Sequence, residues 1–244
     1  ADVRRRAQTA SLVAALIGGA QPQRVLSGAE SSFKVLPFDC MSELMFSSNA
    51  STAKERSQEG TSQKAKLGDC DFFLSHSWSD GYHNKWAALR QHATVFRQQT
   101  GRDPTIWLDK MCIDQDNIDA GLAMLPVYLA GCEKLLVVAG HTYTSRLWCV
   151  MELFVFFAMG GTVDKLQVVA IADDGEIQTS SCESAKSLLQ LDVGDAHCFK
   201  REDEEHLLAV IETAFGSFAK FNQTARTMLQ EALESQAAED GPSC

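Results

Sequence analysis

The chain has 244 residues, 45% of them hydrophobic, a formal net charge of -10 and eight cysteines. That is enough apolar material for one large α/β domain, or a domain with a smaller appendage, to fold without disulfide or metal staples. The charge is uneven: residues 173–244 hold 15 acidic and 5 basic side chains, and such an acidic, aromatic-poor region repels phosphate backbones, which argues against a nucleic-acid partner.

At the N-terminus, Arg4-Arg5-Arg6 precede an apolar stretch that ends near Ala20, a pattern shared by targeting segments and by ordinary amphipathic helices. Residues 1–30 read as a helix followed by a linker containing Gln, Pro and Gly, and residues 33–38 as a short strand. Residues 47–66 are rich in Ser, Thr, Lys, Gln and Glu, which predicts a mobile connection and divides the chain into an N-terminal arm, 1–66, a main domain, 67–221, and a C-terminal helix with an acidic tail, 222–244.

In the main domain, strand and helix patterns alternate. The run CDFFL at 70–74 suits a buried strand, and Trp86, Leu89, Ala93 and Phe96 recur at helical spacing over 83–99. TIWLD at 105–109 is the second strand; a helix from Asn117 to about Gly131 follows, with a break expected at Pro126. KLLVVAG at 134–140 is the third strand, the apolar segment 147–159 the next helix, and LQVVAIAD at 166–173 the fourth strand. A short helix at 184–191, a fifth strand at 197–199, and helices at 203–218 and 224–237 complete the pattern.

Strands that are near-continuous apolar runs, each followed by a helix, predict a parallel sheet covered on both faces. Ligands of such sheets gather beyond the carboxyl ends of the strands. Those positions are Ser75, His76, Ser77 and Trp78 after the first strand, Asp109 and Lys110 after the second, and 141–145 after the third. Glu152 is the one charged residue of the apolar helix that leaves the third loop. A carboxylate there must be hydrated, paired, protonated or used.

FLSHSWSD at 73–80, IWLDKMCIDQDNI at 106–118 and RLWCVMEL at 146–153, in this order and spacing, resemble the Toll/interleukin-1 receptor (TIR) domain family. WLDKMCIDQDN is also similar to a pattern of fungal heterokaryon-incompatibility (HET) domains, while the HSW turn and WCVMEL favour the TIR side. The resemblance implies a flavodoxin-like three-layer sandwich with a five-stranded parallel sheet in the order 2-1-3-4-5. It further implies a cytoplasmic role in signalling, defence or cell death, and partners that are second copies or other TIR-like domains. In the catalytic branch of the family, the glutamate of the Trp-Cys-x-x-Glu pattern is needed to cleave the nicotinamide–ribose bond of NAD, a role that maps onto Glu152; NAD would be a substrate, with no tightly bound cofactor. The loop 110–117 departs from receptor-type relatives, being rich in Asp where they commonly carry Gly or Pro, which counts against receptor-adaptor pairing through it.

Bland readings stand beside each assignment. Glu152 is either the catalytic carboxylate or a fold-holding partner of Arg146 or a backbone amide. Trp78 is a stacking platform for an aromatic ring or packs on the first helix, and Trp148 a ligand contact or core. Ser75 and Ser77 donate to phosphate or ribose or simply make the turn, and His76 is a ligand contact or a satisfied turn histidine. Asp109 contacts ribose or holds its own loop, and Lys110 and His76 are the cations available to offset the apolar surroundings of Glu152. Asp114, Asp116 and Asp119 lack the Gly and terminal Glu of a calcium loop and read as a solvated acidic loop. Cys149 reads as a structural thiol, and the scattered cysteines, without a CxxC pair, as reduced thiols. No apolar run reaches 18 residues, and neither GxGxxG nor a P-loop occurs, so a membrane span, a Rossmann dehydrogenase and a P-loop NTPase find no support.

Overall fold

The computed structural model describes residues 2–47, 62–114, 118–171 and 183–239. It is an α/β protein with a six-stranded, mostly parallel sheet. In chain order the elements are α1 (Asp2–Gly18), α2 (Pro22–Ser32), β1 (Lys34–Pro37), β2 (Gln63–Lys64), β3 (Cys70–His76), α3 (Tyr82–Thr100), β4 (Thr105–Trp107), α4 (Asp109–Cys112), α5 (Ile118–Ala123), α6 (Leu125–Ala130) and β5 (Cys132–Ala139). Then come α7 (Leu147–Ala158), β6 (Leu166–Ala170), α8 (Glu183–Leu189), α9 (Arg201–Phe215) and α10 (Phe218–Glu239). The sheet order is β2-β1-β4-β3-β5-β6.

This order and count differ from the expected 2-1-3-4-5. The N-terminal arm contributes two strands: β1 pairs antiparallel with β4, with Leu36 opposite Ile106, and β2 pairs antiparallel with β1, with Lys34 opposite Lys64. A two-residue strand of polar residues carries no hydrophobic alternation, so composition alone does not reveal it. The expected fifth strand at 197–199 is reduced to a single parallel bridge between Arg146 and His197. The linker after the first helix is itself α2: Gly19, at φ 66, ends α1 in the left-handed conformation, and Pro22 opens α2 at a position where its missing N–H costs nothing. The expected helix before Gly131 is two helices, with Pro126 in the first turn of α6. Asn117, the expected cap, residues 172–173 of the fourth strand and most of the expected mobile connection lie outside the described residues.

The chain forms two compact units: residues 1–74 with 89–135, and residues 75–88 with 136–244. In the first, Trp107 of β4 stacks on Phe73 of β3 with ring centroids 4.5 Å apart and planes 10° apart, and Tyr128 of α6 lies 5.3 Å from the same indole. The starts of β3 and β4 are joined by Asp71, whose carboxylate accepts two 2.7 Å hydrogen bonds from Arg102, the Thr105 amide at 2.8 Å and the Thr105 hydroxyl at 2.9 Å. β3 and β4 run parallel, with Phe72 opposite Ile106.

In the second unit, α7 is the central element. Leu147, Val150, Leu153 and Phe154 are fully buried, and Phe154 meets Phe215 of α9 and Phe221 of α10 at 5.8 and 6.3 Å. Gly216, at φ 78, closes α9 and lets α10 start two residues later. Along the sheet side, Gln236 of α10 brackets Val168 of β6, accepting from its amide at 2.9 Å and donating to its carbonyl at 3.2 Å.

Asp71 supplies a test of the first unit. Although burial pushes its pKa up, the Arg102 and Thr105 hydrogen bonds outweigh that and hold it below the usual carboxylate value. Its contribution is therefore complete at neutral pH and is lost as pH falls through the depressed folded-state pKa. Asp71→Asn is expected to cost about 2 kcal/mol in urea unfolding at pH 7, with the gap to wild type closing progressively below about pH 4.

Candidate functional site

The residues expected beyond the first and third strands, together with the apolar helix, all belong to the second unit. Ser75 and His76 are the last two residues of β3, followed by the turn Ser77, Trp78, Ser79, Asp80 and Gly81 that leads into α3. β5 ends at Ala139, and Gly140, His141 and Thr142 connect it to a 3-10 turn, Tyr143–Ser145, and then to α7. Trp148 and Glu152 are both half-buried and stand four residues apart on α7, so they share one face of a helix whose other N-terminal residues are buried.

Two chains of hydroxyl groups end on carboxylates. In the first, Ser75 Oγ donates a short hydrogen bond to Glu152 Oε2, and Tyr143 Oη lies 2.6 Å from Ser75 Oγ. In the second, Thr142 Oγ1 donates to Asp80 Oδ1 at 2.7 Å, and Ser77 Oγ lies 2.6 Å from Thr142 Oγ1. A hydroxyl has one proton, so Thr142 must accept from Ser77, and Ser77 in turn accepts the Ser79 amide at 3.2 Å. Asp80 also accepts the amides of Gly140 at 3.0 Å and Thr142 at 2.9 Å, and its side chain is almost wholly buried. A Cβ on Gly140 would stand 2.4 Å from Asp80 Cγ, so only glycine lets the carboxylate lie against the end of β5.

Lys85 of α3 is buried at 1% exposure, donates to the Ser77 carbonyl at 2.7 Å and lies 5.4 Å from the centre of the Trp78 ring. His76 is 6% exposed and meets Trp78 edge-on at 4.4 Å. Burial, and secondarily the Lys85 charge, lower its pKa to about 3, so the imidazole is neutral at physiological pH. The sequence-based expectation that His76 offsets the apolar surroundings of Glu152 with a positive charge is thereby corrected. Cys149 is a buried thiol donating to the His76 carbonyl at 3.4 Å.

Asp109 and Lys110 belong to the first unit, at the start of α4, where Asp109 Oδ1 accepts the Lys110 amide at 2.7 Å and Lys110 is buried. Asp114 is exposed, Asp116 lies outside the described residues, and the side chain of Asp119 is likewise not described. No protein-family model and no curated protein matches this chain.

Two residues that structure this site, Asp80 and Lys85, were not singled out in the sequence, and Tyr143 was marked only as part of the segment 141–145. A weak signal existed for each. Asp80 precedes Gly81 in a turn, Lys85 interrupts an amphipathic helix next to Trp86, and Tyr143 sits in a polar loop that otherwise has no reason to hold a large ring. None of these signals names a partner: Lys85 meets the Ser77 carbonyl eight positions away, whereas Asp80 and Ser75 meet Thr142 and Tyr143 more than 60 positions on.

Asp80→Ala leaves the amides of Gly140 and Thr142 without their acceptor. The expected loss is about 2–4 kcal/mol of stability, read by thermal unfolding. Hydrogen exchange at these two amides should accelerate more than at the amides of α10.

Proposed function

We propose that this chain is a cytoplasmic TIR-like signalling or defence domain with a flavodoxin-like core, and that Glu152 cleaves the nicotinamide–ribose bond of NAD, yielding nicotinamide and ADP-ribose or its cyclic form. One observation carries the reading: Glu152 is a half-buried carboxylate residue on a largely buried apolar helix, anchored through one oxygen by a buried serine at the end of β3. A carboxylate kept only to hold the fold gains most from full enclosure by partners, whereas one that reaches solvent remains accessible to a ligand. Trp148, one turn earlier on the same face, and Trp78 beyond β3 supply aromatic surface of the kind a nicotinamide or adenine ring stacks on. The run β4-β3-β5-β6 within the sheet supports the flavodoxin-like assignment for those four strands. The motifs around 73–80, 106–118 and 146–153 support the TIR-like one.

The chemistry needs little machinery. When the bond between C1′ and the pyridinium nitrogen breaks, the electron pair goes to nitrogen and nicotinamide leaves neutral, so no general acid is required. The positive charge stays on C1′ and the ribose ring oxygen, where an ionised carboxylate stabilises it. Water then adds its oxygen to C1′ and releases its proton to solvent, or a nucleophilic atom of the same ADP-ribosyl group adds instead and closes the cyclic product. Ser75, Ser77 and Trp78 lie at the end of β3 in the same unit as this helix, whereas Asp109 and Lys110 belong to the first unit. The expected partner is a second copy or another TIR-like domain, with NAD as substrate rather than a resident cofactor.

A second reading is a non-catalytic self-association module, and the wiring of Glu152 to the buried Ser75 favours it to the extent that the bond serves the fold. The two separate on one measurement: nicotinamide release, followed by chromatography, from concentrated or deliberately clustered wild type and Glu152→Gln. Catalysis predicts release by wild type and a loss on the order of 10²–10³-fold in the variant, with unchanged circular dichroism. No release by clustered wild type leaves the module reading.

A further inference from the structure

We infer that Tyr143 and Ser75 are positioning residues for Glu152: a buried two-hydroxyl chain that fixes one oxygen of the carboxylate and favours its ionised form. The inference rests on the reading of Glu152 as the reactive carboxylate, although its physical content is testable without turnover.

The direction of the chain follows from proton counting. Ser75 gives its only hydroxyl proton to Glu152, so the 2.6 Å contact with Tyr143 must be made by the tyrosine proton, and the order of donation is Tyr143 to Ser75 to Glu152. The reverse order, with a protonated Glu152 donating into the chain, would need Tyr143 to pass its proton on to the Cys149 carbonyl, which is 3.5 Å away. That bond is at the edge of hydrogen-bond range, so the reversed chain ends on a poor acceptor while the forward chain ends on a carboxylate. Successive donors also polarise one another, which strengthens the bond to the ionised form.

Burial separates the roles of the three groups. Ser75 and Tyr143 are both 0% exposed, and Glu152 alone is half-buried. Both hydroxyls lie out of reach of a ligand, which removes Ser75 as a nucleophile and Tyr143 as an acid toward substrate. Tyr143 also keeps its proton, because burial, followed by the neighbouring Cys149 and Glu152, pushes its pKa well above the ordinary value. The hydroxyls are themselves held: Ser75 is a strand residue, and the Tyr143 amide donates to the Gly140 carbonyl at 3.3 Å, in the segment that Asp80 fixes. A glutamate side chain, otherwise free about three bonds, is thereby given one orientation before any ligand arrives.

The experiment compares full-length wild type, Ser75→Ala, Ser75→Thr and Tyr143→Phe, each checked by thermal unfolding and circular dichroism. Protein labelled with 13C at glutamate carboxyls is titrated by NMR, the Glu152 signal being the one absent from Glu152→Gln. The titration midpoint of that signal is expected to rise by about one pH unit in Ser75→Ala and by less in Tyr143→Phe, and to return toward wild type in Ser75→Thr. In the turnover assay, Ser75→Ala is expected to lower kcat about 10- to 100-fold with little change in KM, and to move the acid limb of the rate profile to higher pH; Ser75→Thr should recover most of the rate. An unmoved midpoint in folded Ser75→Ala and Tyr143→Phe overturns the inference. A shifted midpoint in protein whose clustered wild type releases no nicotinamide upholds the hydroxyl chain and refutes NAD cleavage instead.

Discussion

A helix that is apolar on nearly every face has to be wrapped, and α7 imposes that constraint on the whole second unit. Eight of its twelve residues are buried. α9 and α10 pack against it, with Phe154 set against Phe215 and Phe221. Such a helix cannot be solvated if its covering is lost, so its insertion and the folding of the unit are one event. The cost of any polar atom on it is correspondingly high, and Glu152 persists there because the end of β3 supplies a hydroxyl to receive it.

The loops at the ends of β3 and β5 use one device twice. A buried hydroxyl passes its hydrogen bond to a second hydroxyl, which passes it to a carboxylate. Where the carboxylate is Asp80, it is enclosed and gathers backbone amides, so the device serves as a clamp. Where it is Glu152, the residue is only half-buried, and the same wiring holds it on the helix face it shares with Trp148. Lys85 and the neutral His76 set the electrostatics of the Trp78 side: a buried cation lies near the indole ring, and the imidazole beside it contributes no charge.

Much of the architecture was legible where burial and periodicity coincide. The cores of β3, β5 and β6 were visible as apolar runs, α3 by its helical spacing and α7 by its composition, and Glu152 stood out because a lone carboxylate violates the pattern. What escaped was held together by pairing rather than by composition. β2 is two polar residues fixed by hydrogen bonds to β1, and residue 197 looked like a strand but among the described residues makes an isolated bridge with Arg146. α2 was hidden by a Gln/Pro/Gly composition that reads equally as a linker, although Gly19 and Pro22 were valid stop and start signals. Within the site, the residues at the strand end were readable from topology. The charge state of His76 and the partners of Asp80 and Tyr143 were not, since desolvation and through-space contacts leave no mark on neighbouring letters.

The division of the chain into two units has a further consequence for its connectivity. The backbone changes unit at 74/75, at 88/89 and at 135/136, so β3, α3 and β5 are each shared, and residues 89–135 of the first unit are threaded between two pieces of the second. No contiguous fragment contains the hydroxyl chains of β3 and α7 without also containing that insertion. Neither unit can be released by a single cut or inherited alone through a simple gene truncation. Any evolutionary or experimental dissection of this protein must therefore proceed by substitution, because the site and the N-terminal half of the sheet are one covalent weave.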